Sequence, residues 1–158
     1  MLGVENMANK KGTSICITSC KGGVGKTTIL LCLAGIYHTL KKKVLIIDLD
    51  LYNGGIAVSL NIDVKKDMAD LISDLDNNNY KNFEDYITPY KKNIDVLASP
   101  KDPRMVSKIK VDHIENIISY AKLKYDVVLM DTTHVLNDIN LIAMDKSDMN
   151  LFVITNDL

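Results

Sequence analysis

Apolar residues in this chain fall into short unbroken runs separated by stretches with a helical repeat, and the two patterns alternate. Ser14-Ile15-Cys16-Ile17-Thr18-Ser19 reads as a first strand. Ile29, Leu30, Leu33, Ala34, Tyr37 and Leu40 then recur at helical spacing up to Lys41-Lys42-Lys43. Val44-Leu45-Ile46-Ile47 is a continuous apolar run that stops at Asp48, as expected of a central parallel strand whose C-terminal end opens onto a site. A loop signal covers Asp50 to Gly55, and a short apolar segment runs on to Leu60. Met68 to Leu75 reads as a short helix, Asp76 to Asn79 as an exposed break, and Phe83 to Ile87 as a helical turn before Pro89. Ile94 to Ala98 forms a third strand closed by Ser99-Pro100. Val111, Ile114, Ile117, Ile118 and Ala121 give a helical stripe. Tyr125 to Met130 makes a fourth strand ending at Asp131, Ile139 to Met144 a helix, and Leu151 to Ile154 a fifth strand. Strands alternating with helices in this way predict an α/β fold with a doubly wound, mainly parallel sheet. No repeat or linker divides it, so residues 1–12 are read as an N-terminal extension and 13–158 as one domain.

The segment between the first strand and the first helix changes the picture from fold to chemistry. Cys20-Lys21-Gly22-Gly23-Val24-Gly25-Lys26-Thr27-Thr28 reads as a phosphate-binding loop of the form Gly-x-x-x-x-Gly-Lys-Ser/Thr, with Cys20 in place of the leading Gly. Small residues at Gly22, Gly23 and Gly25 let consecutive backbone N–H groups approach phosphate oxygens, and the helix beginning near Lys26 adds its positive end. Lys26 is then placed for the β- and γ-phosphates and the Thr27 hydroxyl for Mg²⁺. This architecture is that of a P-loop nucleotide-binding domain.

Charge and composition narrow the partners. A net charge of -1 argues against a polyanion binder, although it can hide a local basic patch such as Lys41-Lys42-Lys43, which reads more simply as a solvated helix end. Arg104 is the single arginine, so within this segment any cation acting on a phosphoryl group is Lys21, Lys26 or Arg104. Cys16, Cys20 and Cys32 lack metal or disulfide spacing and read as the reduced cysteines of a cytoplasmic protein. No apolar stretch reaches membrane-spanning length, and Met1 to Gly12 show no signal-peptide apolar core; Met7 reads equally as a start or an internal residue.

Three carboxylates sit at the same strand ends as the loop. Asp131, ending an apolar strand, has the position of a group that holds Mg²⁺ directly or through water. Asp48 and Asp50 are two apart, so a continuing strand would project both to one side, one to orient water and the other to support the metal shell. His134 reads as a loop histidine or a general base.

The run Lys21-Gly22-Gly23-Val24-Gly25-Lys26-Thr27-Thr28 resembles the deviant phosphate loop of the ParA/MinD superfamily of dimeric ATPases. Leu45 to Asp50 looks like that family's switch I strand, and Tyr125 to Thr132 like its Walker B and switch II region. Within the superfamily, Asp48-Leu49-Asp50-Leu51 with Gly55-Ile56-Ala57-Val58, and Asp131 to Asn137, are most similar to the TadZ/CpaE branch, whose members localise Tad/Flp pilus or secretion machinery. The resemblance implies ATP and Mg²⁺ as cofactors and an ATP-dependent homodimer. It implies that Lys21 and Lys26 bind phosphates, that Thr27 binds Mg²⁺, that Asp50 positions the attacking water beside the metal, and that Asp131 contacts the metal through water. It also implies a cytoplasmic protein recruited to the membrane or cell pole. Members of the family continue past the fifth strand, so the resemblance implies a domain incomplete at its C-terminus. A nucleotide-sensing scaffold and a DNA-partitioning ATPase are the alternatives; the near-neutral charge makes DNA the weaker partner.

Overall fold

Six strands order as β3-β4-β2-β5-β1-β6 in the computed structural model, which describes residues 11–156. They are β1 (Thr13–Thr18), β2 (Val44–Leu49), β3 (Thr88–Lys91), β4 (Ile94–Leu97), β5 (Val127–Thr132) and β6 (Met149–Phe152). Five helices connect them: α1 (Lys26–Thr39), α2 (Gly55–Leu60), α3 (Met68–Asp76), α4 (Val111–Lys124) and α5 (Asp138–Asp145). Every strand pairing is parallel except β3 with β4. The expected N-terminal extension lies almost wholly outside the described residues.

The two central strands explain the continuous apolar runs. All six positions of β2 and of β5 are buried, because helices cover both faces of the sheet. On one face Ile15, Ile17, Val44, Ile46, Val96 and Leu129 pack with Leu30 and Ala34 of α1. On the other, Cys16, Leu45, Ile47, Leu97, Val128 and Met130 pack with Leu71 and Ile72 of α3 and Ile114, Ile117, Ile118 and Ala121 of α4. Alternate strand residues feed opposite layers, as the strand period of two requires.

Three expectations need correction. A sixth strand, β3, precedes β4 as a short antiparallel edge; Thr88-Pro89-Tyr90-Lys91 is mostly exposed, so it carries no apolar pattern, and its proline is tolerated because an edge strand can forgo a ladder donor. The second strand does not stop at Asp48 but runs to Leu49, with Asp48 wholly buried inside it. The last strand begins two residues earlier, at Met149, and ends at Phe152. The apolar segment before Leu60 is the one-and-a-half-turn helix α2, and Pro103–Lys108 adds a 3-10 segment that the sequence pattern did not mark.

Candidate functional site

Residues 19–25 connect β1 to α1 and close on themselves. Lys26 Nζ donates to Ser19 Oγ at 3.0 Å, and Ser19 Oγ donates to the Lys21 carbonyl at 2.7 Å. Gly23 and Gly25 hold φ of 74° and 93°, left-handed values that favour glycine, and the space where a Cβ would stand has no atom within 4 Å. The first turn of α1 has neither a capping side chain nor an acidic residue, whereas α3 is capped by Asp67 and α5 by Asn137. Among the described residues, the leading N–H groups of α1 therefore face the loop without a capping side chain, which is the arrangement that binds anions.

Asp131 completes the site from the neighbouring strand. It lies in β5, in register with Ile17 of β1 and with Asp48 of β2. Thr27 Oγ1 donates to Asp131 Oδ2 at 2.5 Å, while Oδ1, also buried, has no hydrogen-bond partner. Burial raises the pKa of the Asp131 carboxyl; the Thr27 hydroxyl and the Lys26 charge pull it back down, and the Asp50 charge raises it further. Because Asp131 sits inside the strand, a helix N-cap role is excluded by its position.

Asp48 and Asp50 do not share a side of one strand, since β2 ends between them. Asp48 is spent on structure: Oδ1 accepts from Asp50 N at 3.2 Å, and Oδ2 accepts from Ile56 N at 3.1 Å and from Ser99 Oγ at 3.4 Å. Burial pushes its pKa up to about 7, with the Asp131 charge adding to the rise and the bonds from Ile56 and Asp50 opposing it. Asp48 thus clasps both ends of the loop between β2 and α2, with both of its oxygens engaged by the protein. Asp50 is in the turn beyond, half-buried, and accepts from Asn53 Nδ2 at 3.0 Å. Gly54, at φ 54°, passes so close to Ser99 that a Cβ there would lie 2.5 Å from Ser99 Oγ.

The structure brings Thr27, Lys26 and Asp131 into one cluster, with Asp50 near enough for its charge to act on Asp131. Lys21, Gly22 and Thr28 are exposed around it, with Val24 half-buried. Arg104 stands apart from this cluster, its guanidinium held by Asp102 at 2.7 Å. Cys20 and Cys32 are exposed; Cys16 is buried, and burial together with the Asp131 charge pushes its thiol up to about 12, so it stays protonated. Among the described residues no group of three or more His, Cys, Asp or Glu side chains could hold a metal ion. Mg²⁺ takes one or two protein oxygens and completes its shell with water and phosphate. The open buried oxygen of Asp131, the Thr27 hydroxyl and the clear space over Gly23 and Gly25 fit a phosphate chain carrying such an ion. Sequence reasoning missed the Ser19 contact and the Asp48 clasp. The first was signalled only by a hydroxyl beside the loop, and the second only by a carboxylate following four apolar residues.

A glycine-rich loop feeding an uncapped helix, beside a strand-end carboxylate at the C-terminal edge of a parallel sheet, defines the P-loop nucleotide-binding class. Residues 12–157 match the model of the AAA domain family AAA_31, and the chain belongs to that family, within the ParA/MinD superfamily. It is 28% identical over 145 residues to an uncharacterized ATP-binding protein of Methanocaldococcus jannaschii, covering 91% of this chain and 53% of the relative. The septum site-determining protein MinD of Pyrococcus horikoshii, solved with Mg-ADP, superposes with a TM-score of 0.78 at 29% identity, over 90% of this chain and 57% of that one. A plasmid partition protein of Borrelia burgdorferi bound to AMPPNP gives a TM-score of 0.74 at 26% identity, over 93% and 63% respectively. The chain thus spans between half and two thirds of the length of these relatives.

Proposed function

We propose that this chain binds Mg-ATP and is an ATPase of the ParA/MinD type that dimerises in response to nucleotide and thereby positions a cellular assembly, the Tad/Flp pilus or secretion machinery. The observation that carries the nucleotide reading is the Thr27–Asp131 hydrogen bond, which sets a hydroxyl and a half-open carboxylate against the phosphate loop. The relatives' own bound ligands, Mg-ADP and AMPPNP, support it. Backbone N–H groups of residues 22–28 would hold the phosphates, and Lys26 would leave Ser19 to pair with them. Thr27 and Asp131 would hold the magnesium ion, which supplies charge neutralisation of the phosphates when bound. Asp50, on the loop fixed by Asp48, would orient water, and Lys21, exposed on the loop, would reach the nucleotide of a second subunit. The pilus reading draws on the TadZ/CpaE-like residues Asp48 to Val58 and Asp131 to Asn137, and with it goes a cytoplasmic location with recruitment to the membrane or pole. No helix among the described residues is long and apolar enough to cross a membrane.

Light scattering with ATP against ADP tests the dimer. The expected result is an ATP-dependent doubling of mass that Lys21→Ala removes while nucleotide binding persists; dimerisation unchanged in that variant would sink the reading. The similarity to a plasmid partition protein favours a second reading, a partition ATPase. DNA binding that weakens steeply with salt would support it, and its absence would leave the first reading standing. Phosphate release at background level despite tight ATP binding would mark a nucleotide-sensing scaffold instead.

A further inference from the structure

His134 lies three residues beyond Asp131, and its imidazole packs on the phosphate loop. A Cβ placed on Gly22 would meet its Nδ1 at 3.5 Å, its Cε1 at 3.6 Å and its Cγ at 3.9 Å, so the ring rests against a loop residue that has no side chain. The ring is exposed.

What holds it there is a buried amide. Asn140, 1% exposed, donates from Nδ2 to the carbonyl of Thr133 at 3.4 Å and to that of Val135 at 2.5 Å, the two residues flanking His134. Asn140 is itself placed by its backbone N–H, which donates to Asn137 Oδ1 at 2.9 Å and so anchors the segment to the first turn of α5. Its own Oδ1 is buried without a partner. Sinking an amide and leaving one of its oxygens unmatched is unfavourable, by about 1–3 kcal/mol for a neutral group. The clamp fixes the backbone on both sides of the histidine and presents the ring to the loop.

The side of the loop matters. In P-loop proteins the segments that follow the metal-side carboxylate respond to the terminal phosphate. Asp131 and Thr27 mark the metal side, and the strand that carries Asp131 leads directly to His134. The other cations at the loop are Lys21 and Lys26, with Arg104 engaged by Asp102.

From this juxtaposition we infer that His134, held over Gly22 by the Asn140 clamp, donates a hydrogen bond to the terminal phosphate of a bound nucleoside triphosphate and so distinguishes triphosphate from diphosphate. The inference rests on the nucleotide reading given above.

The test uses the full 158-residue chain with Mg²⁺ and two probes, AMPPNP and ADP, titrated calorimetrically into wild type, His134→Ala, His134→Gln and Lys26→Ala. A hydrogen bond to a charged phosphate predicts that His134→Ala weakens AMPPNP by about tenfold or more while ADP stays within about twofold. His134→Gln, which keeps an N–H donor, should recover part of that loss. Equal weakening of both nucleotides would reduce His134 to a loop support, and no change in either would remove it from the site; each overturns the inference. If Lys26→Ala abolishes binding of both nucleotides while the histidine variants leave their ratio unchanged, the nucleotide reading survives and this inference alone falls. If wild type binds neither nucleotide, both fall.

Discussion

β2 and β5 lie side by side, are buried along their whole length, and each delivers an aspartate to the same row of the sheet, yet the two carboxylates do opposite work. Asp48 accepts three hydrogen bonds from its own loop and from Ser99. Asp131 accepts one, from Thr27, and keeps a buried oxygen without a partner. A buried carboxylate with both oxygens engaged organises the chain around it; one with a buried oxygen unmatched is held ready for something from outside, because leaving it so is otherwise unfavourable. Position in the sheet does not separate the two, and the count of committed oxygens does.

Removing each carboxylate in turn tests that contrast. Asp131→Ala should lower Mg-dependent phosphate release by about a hundredfold or more, the order seen when a positioned electrostatic group is lost. Its thermal midpoint should hold or rise, since a buried and partly unpaired charge disappears. A melting point that drops with activity intact would reverse the assignment.

Asp48→Ala should act the other way, by stripping the acceptor from the N–H groups of Asp50 and Ile56. Measured at pH 6, below the folded pKa of Asp48, the loss should be roughly 1–3 kcal/mol. For a chain of this size that is a drop of roughly 2–4 °C in midpoint per kcal/mol, read by calorimetry.

The same residue predicts a pH signature. Its folded pKa of about 7 stands above the ordinary 3.8, so between those values the native state binds more protons than the unfolded one. Stability therefore falls as pH rises from about 4 to about 7. Asp48→Asn should flatten that slope without abolishing it, because Asp131 is raised as well. Melting curves across the window with an unaltered slope would show that Asp48 is not the group titrating.

The smallest effect sharpens how the clasped loop is built. Gly54→Ala meets both a left-handed backbone and Ser99 Oγ, and should destabilise by about 1 kcal/mol. Ser99→Ala removes the contact but not the backbone strain, so Gly54→Ala should cost less, though still something, in a Ser99→Ala background than in wild type, read in a chemical melt.

Much of this architecture was legible because central parallel strands are buried on both faces and read as unbroken apolar runs. The phosphate loop was legible because its glycines and lysine are fixed in order by the chemistry. Thr88–Lys91 was not, since an exposed edge strand has no core to leave a pattern. Asp48 was misplaced for a related reason: a charge at the end of an apolar run signals a strand end, unless later residues fold back to satisfy it. Ile56 and Ser99 do so from eight and fifty-one positions away, and no local rule connects them. The Asn140 clamp was hidden likewise, because a single asparagine in an amphipathic helix reads as solvent-facing.

The placement of β1 between β5 and β6 bears on how the protein comes to exist in time. Its phosphate loop precedes most of the described fold, but Thr27 meets Asp131 only across 104 residues, and among the described residues both strands beside β1, β5 and β6, are made after it. Ring closure of that length is slow and entropically unfavourable. A ribosome extruding this sequence would therefore hold an unformed site until residues near 132 emerge, and binding competence would arrive late, together with the closing of the sheet.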